Sequence, residues 1–151
     1  MAPQLRLRRH SAIGWDLDLT LIGHKASAAM HDFIRSTPDI RHVIITFRSH
    51  GLQDRVWSDL EAELGAAPRS SFAAVANIDD ATVFGFRRVN QHRRTGRILG
   101  PLSPAEVLYR TWKGRACAEL GATVLIDDMT EYVELGCKLH GIELLHPDAF
   151  L

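Results

Sequence analysis

Two acidic pairs, far apart in the chain, carry the chemistry this sequence can do. Asp16 and Asp18 follow the apolar run Ala12-Ile13-Gly14-Trp15, and Asp127-Asp128 follow Thr123-Val124-Leu125-Ile126. Residues two apart on an extended segment point to the same side, so Asp16 and Asp18 can face one site. Carboxylates clustered that closely repel each other unless a proton or a metal intervenes. An oxygen-only ligand set, with no cysteine and no paired histidines, favours a hard cation. Magnesium is the usual choice beside phosphate. Thr46, near the end of His42-Val43-Ile44-Ile45-Thr46-Phe47, adds a hydroxyl.

These groups act together only if the chain gathers them. The run ending at Trp15 reads as a strand, and Asp16-Leu17-Asp18-Leu19-Thr20-Leu21-Ile22-Gly23 carries it into a loop. A helix is expected over 25–36, with Met30, Phe33 and Ile34 on its apolar face and Pro38 stopping it. The β-branched run at 42–47 is a strand of the doubly buried kind. Leu52, Val56, Leu60 and Leu64 recur every fourth residue, a helical pattern closed by Gly65. A further strand is expected over 71–78. Between 82 and 102, Val83-Phe84-Gly85-Phe86 and Ile98-Leu99 flank a basic tip of Arg87, Arg88, His92, Arg93, Arg94 and Arg97. That pattern is read as a β-hairpin insertion.

Ser103-Pro104-Ala105-Glu106 is a helix start, with serine as N-cap, proline at the first helical position and Glu106 completing a capping box. Leu108, Trp112, Ala116 and Leu120 form its buried stripe and Gly121 ends it. A strand over 123–126, a helix over 130–139 ended near Gly141, and a last strand over 142–145 complete the chain. Strands alternating with helices imply an α/β fold, a central parallel sheet with helices on both faces. Right-handed crossovers put every strand's carboxyl end on one edge, where such sheets bind ligands. The acids and Thr46 all fall there.

Ile13-Gly14-Trp15-Asp16-Leu17-Asp18-Leu19-Thr20 resembles the first motif of the haloacid dehalogenase (HAD) superfamily, an apolar strand followed by Asp-x-Asp-x-Thr. The strand ending at Thr46 resembles the second motif, Lys113 the third-motif lysine, and Ile126-Asp127-Asp128 with Glu131 the fourth. The four occur in order across most of the chain. Asp79-Asp80, after Val75-Ala76-Asn77-Ile78, competes for the fourth place but has no lysine between it and Thr46. It is read as a turn or cap.

The resemblance implies a three-layer Rossmann-like sheet in order 3-2-1-4-5 and a minimal-cap phosphatase acting on a phosphomonoester. Asp16 becomes the nucleophile that forms an aspartyl-phosphate, and Asp18 the general acid and base. Mg2+ is held by Asp16, the Asp18 carbonyl and Asp127, with Asp128 and Glu131 in an outer ring. Thr46 and Lys113 contact the transferring phosphoryl group, and Thr20, Arg48 and Arg110 are candidate substrate contacts.

Lys113 sits close in sequence to Asp127. The 122–126 strand rises about 16 Å while 113–120 climbs back only about 10 Å as helix. The long lysine stem can cover the difference, and Arg110 is the stand-in. A phosphotransferase and a non-catalytic HAD-like binding domain are the alternatives. The carboxyl of Asp18 favours phosphoryl transfer over dehalogenation, since a halide leaves without a proton. A minimal cap suits a large, even macromolecular, phosphorylated substrate, or one closed over by a second copy in a homodimer.

The composition agrees with this frame. The 151 residues make one domain-sized chain, 46% hydrophobic and 24% charged, with 18 basic and 18 acidic residues. Such balance argues against a wholly nucleic-acid-binding or disordered chain. The basic segment at 1–10 has no apolar stretch behind it, so it does not read as a signal peptide, and no run is long enough to span a bilayer. Cys117 and Cys137 are too few for a disulfide framework or a zinc site and are expected as buried free thiols of a cytoplasmic protein.

Overall fold

A computed structural model describes residues 2–89 and 100–151. A short basic helix, α1 (Pro3–Leu7), leads into β1 (Ala12–Trp15). Then come α2 (Ser27–Ser36), β2 (Arg41–Ser49), α3 (Gln53–Ala62), β3 (Phe72–Ile78), α4 (Asp80–Val89), α5 (Pro104–Leu120), β4 (Val124–Ile126), α6 (Thr130–His140) and β5 (Glu143–Leu145). The five strands form one all-parallel sheet in the order β3-β2-β1-β4-β5. Among the described residues no helix is long and apolar enough to cross a membrane.

Strand alternation builds a core on each face. Ile13, Trp15, Ile44, Val124 and Ile126 point to one side, where Met30 and Phe33 of α2 and Val56 and Leu60 of α3 cover them. Val43, Ile45 and Leu125 point to the other, under Trp112 and Cys117 of α5 and Val133 and Cys137 of α6. Both cysteines are free, and burial pushes each thiol up to about 12. They are buried packing groups of the core.

The boundary signals of α5 hold. The Ser103 hydroxyl accepts from the Glu106 backbone N–H, and Gly121 closes the helix at φ +76°. Three expected core positions do not hold. Leu108 is half exposed on the outer face of α5, and Leu52 and Leu64 lie beyond the two ends of α3, 39% and 90% exposed. In each case the four-residue period runs one step past the surface that faces the sheet.

The largest difference concerns the expected hairpin. Its first half, with Val83-Phe84-Gly85-Phe86, Arg87 and Arg88, is the helix α4. Asp79 caps it: the Asp79 carboxylate accepts from the Thr82 backbone N–H at 2.9 Å and from the Thr82 hydroxyl at 2.7 Å. That cap outweighs the strand preference of one valine and two phenylalanines. The rest of the basic tip and the Ile98-Leu99 half lie outside the described residues.

α5 and α6 approach each other closely. Gly114 of α5 faces Gly136 of α6 so tightly that a Cβ on Gly114 would overlap the Gly136 carbonyl. Only glycine allows the helices this spacing, and Lys113 is the adjacent residue.

Candidate active site

β1 and β4 are neighbours, in register from Ile13 with Val124 to Trp15 with Ile126. The next residues therefore emerge side by side, and the Asp16 N–H still bonds the Ile126 carbonyl at 2.9 Å. Asp16, Asp127 and Asp128 each place a carboxylate oxygen within 4.8 Å of the others. Asp16 and Asp127 are buried and Asp128 is half-buried. Asp128, expected in the outer ring, thus stands beside Asp16.

Lys113 reaches them. Its buried Nζ donates to Asp16 Oδ1 at 2.7 Å and to Asp127 Oδ2 at 2.6 Å, and lies 4.3 Å from the centre of the Phe47 ring. Arg110 takes a different course. It donates to the Glu131 carbonyl at 3.1 Å and packs on the Tyr132 ring, away from the cluster. One turn separates the two residues on α5, and the turn nearer the glycine crossing meets the acids.

The rest of the expected site divides. Thr20 is fully buried and donates to Asp16 Oδ2 at 3.1 Å, bracing that carboxylate. The buried Thr46 hydroxyl accepts from the Arg48 N–H at 3.1 Å. Asp18 is 54% exposed, and Arg48 grips both its oxygens at 2.7 and 2.9 Å while also donating to Asp59 at 2.6 Å. The Glu131 side chain is exposed and only its carbonyl engages Arg110 among the contacts described. The Arg48–Asp59 pairing and the Thr20 brace were not foreseen. Asp59 carries no local signal that it would meet Arg48.

The electrostatics follow from burial. Desolvation raises Asp16 to about 6, and Lys113 only partly offsets it. Asp127 and Asp128 are raised for the same leading reason. Burial alone would lower the Lys113 ammonium, but Asp127 and Asp16 more than reverse this and keep it protonated. Three carboxylates thus face one fixed cation. The excess of negative charge on an oxygen-only donor set fits a hard divalent cation such as Mg2+.

Above the cluster opens a cleft of about 370 Å³. Asp16, Asp18, Lys113 and Asp128 line its polar side, and α4 supplies part of the opposite wall. No protein-family model matches this sequence, and no curated protein matches it.

Proposed function

We propose that this chain is a Mg2+-dependent phosphomonoester hydrolase of the HAD superfamily, working through an aspartyl-phosphate. The observation that carries the proposal is the Lys113 ammonium set between Asp16 and Asp127, with Asp128 beside them, at the carboxyl edge of the central strands.

An Asp16 oxygen attacks phosphorus as the bond from phosphorus to the ester oxygen breaks. Asp18 gives that leaving oxygen its proton. In the second half Asp18 takes a proton from water, the water oxygen attacks phosphorus, and the acyl-phosphate bond breaks to return Asp16 and inorganic phosphate. Thr20 and Lys113 each hold one oxygen of the Asp16 carboxylate, which lines the cleft. Lys113 and the Thr46 hydroxyl stabilise charge on the transferring group. Arg48 holds Asp18 at the cleft wall in one orientation. Asp16, Asp127 and the Asp18 carbonyl, with Asp128, would hold Mg2+. Bound there, the ion would supply positive charge against the repulsion between an anionic nucleophile and an anionic ester.

The test is turnover of para-nitrophenyl phosphate with Mg2+ and with a chelator. Metal-dependent release of para-nitrophenol supports the proposal. No release with any phosphomonoester tried at saturating Mg2+ overturns it.

A further inference from the structure

The floor of the cleft is charged, whereas its mouth is mixed, with exposed Asp18, Asp80 and Arg87 standing among exposed apolar side chains. Twelve large hydrophobic residues are exposed among those described, and four of them, Leu19, Leu52, Phe84 and Met129, line this one cleft. Scattered exposed apolar residues are ordinary, whereas convergence from separate elements around a cavity marks a binding surface. Leu19 belongs to the loop after β1, Leu52 to the turn before α3, Phe84 to α4 and Met129 to the loop after β4.

Leu19 breaks two local preferences at once. It is 58% exposed, and it is the one non-glycine residue with positive φ (59°) among those described. A leucine in that region costs roughly 1–2 kcal/mol that glycine would not incur. Strain and exposed apolar surface kept together at a cleft point to function.

The rim also favours a flat partner. Phe84 is 58% exposed, and Arg87 lies one helical turn further along α4 on the same cleft wall. An aromatic ring, a thioether and a guanidinium all pack well on an aromatic face. The volume of about 370 Å³ lies near the lower end of small-molecule sites, too small for a folded partner to enter.

We infer that the Leu19–Leu52–Phe84–Met129 rim is the specificity element, and that the phosphomonoester it selects carries an aromatic body as its leaving group. This rests on the phosphatase proposal for the reaction, but the recognition can be measured without it.

The test uses non-hydrolysable probes with Mg2+ present. Phenylphosphonate should bind about tenfold tighter than methylphosphonate by calorimetry. Phe84→Ala and Leu19→Gly should each bring that preference to within about twofold. Both positions are exposed, so neither change threatens the core, and glycine suits the Leu19 backbone. In turnover, the ratio of kcat/KM for phenyl phosphate over glycerol phosphate should fall about tenfold in Phe84→Ala.

Equal binding of the two phosphonates, or a preference that survives both substitutions, overturns the inference. Preferential binding without turnover of any ester keeps it and removes the phosphatase proposal. Turnover of phenyl and glycerol phosphates with equal kcat/KM does the reverse. Phosphotyrosine and adenosine monophosphate then separate an aryl ester from a nucleotide, and neither exceeding glycerol phosphate counts against the inference.

Discussion

Two strands of the sheet end in paired aspartates, and the pairs behave in opposite ways. β3 runs into Asp79-Asp80 and β4 into Asp127-Asp128, each followed by a helix. Asp127 is fully buried, with burial raising its carboxyl and Lys113 at 2.6 Å. Asp79 is half-buried, its carboxyl held low by the Thr82 hydrogen bonds, and its oxygens serve its own helix. Local sequence barely distinguishes them. Position in the sheet does: β4 lies beside β1 and β3 lies at the far edge, two places away. A carboxylate with nothing opposite it turns to its own backbone, and one facing a second acid and a lysine becomes part of a charged site.

The sharpest way to break this contrast is to neutralise one acid of the cluster and one of the cap. Asp16→Asn removes the proposed nucleophile, so turnover should fall to background and no phospho-enzyme should form. Asp79→Asn keeps a capping oxygen and should retain turnover within about twofold. Steady-state assays on both variants check this, and equal losses would erase the distinction.

Next in size is Asp18→Asn. It removes the proposed proton transfer, an effect typically worth about 10²–10⁴-fold. Alkyl phosphates should suffer most. With para-nitrophenyl phosphate the first step needs little protonation, so phospho-enzyme should accumulate, seen by rapid quench as acid-stable, hydroxylamine-labile ³²P label. Equal slowing of both ester types without trapped label would remove the role of Asp18.

Asp127→Asn should weaken Mg2+ by more than the roughly 10–100-fold that loss of an outer partner costs. It should do so with an unchanged or higher Tm, because it removes a charge that burial disfavours. Calorimetry and thermal melts read the two effects separately. The pH dependence has a matching sign. Asp16 titrates near 6 in the native chain, above its ordinary 3.8. Between those values the native state binds more protons than the unfolded one, so this contribution to stability falls as pH rises. Melts in chelator from pH 4 to 7 should show that decline, shallower in Asp16→Asn.

Much of this contrast was legible in the sequence, because the strands are short apolar runs that stop abruptly at acids. The strand order and the gathering of Asp16 with Asp127 follow from that pattern together with the HAD resemblance. What was not legible depends on partners distant in sequence. Lys113, rather than Arg110, meets the acids beside the close approach of Gly114 to Gly136, a contact between two helices that no local pattern marks. Arg48 meeting Asp18 and Asp59 is of the same kind. The α4 helix is a different failure. Asp79 and Thr82 stand at capping distance, but Val83-Phe84-Gly85-Phe86 reads equally well as strand, and its apolar signal is the stronger of the two.

The smallest expected effect tests the cap itself. Asp79→Ala leaves the first N–H groups of α4 without their acceptor, a loss worth about 1 kcal/mol. For a chain of this length that is a Tm lower by about 2–4 °C. The pH sign is opposite to that of Asp16. Because the Thr82 bonds hold the Asp79 carboxyl low, its contribution is present above the unfolded value and lost as pH falls through the native one. Wild type and Asp79→Ala should therefore converge in stability in acid and separate towards neutrality. α4 also carries Phe84 and Arg87 to the cleft, so fraying its first turn should lower the preference for phenylphosphonate before it lowers turnover of glycerol phosphate. Melts that stay parallel from pH 2 to 7 would mean that the Asp79 carboxylate does not cap α4 in solution. The contrast between the two pairs would then lie in burial alone.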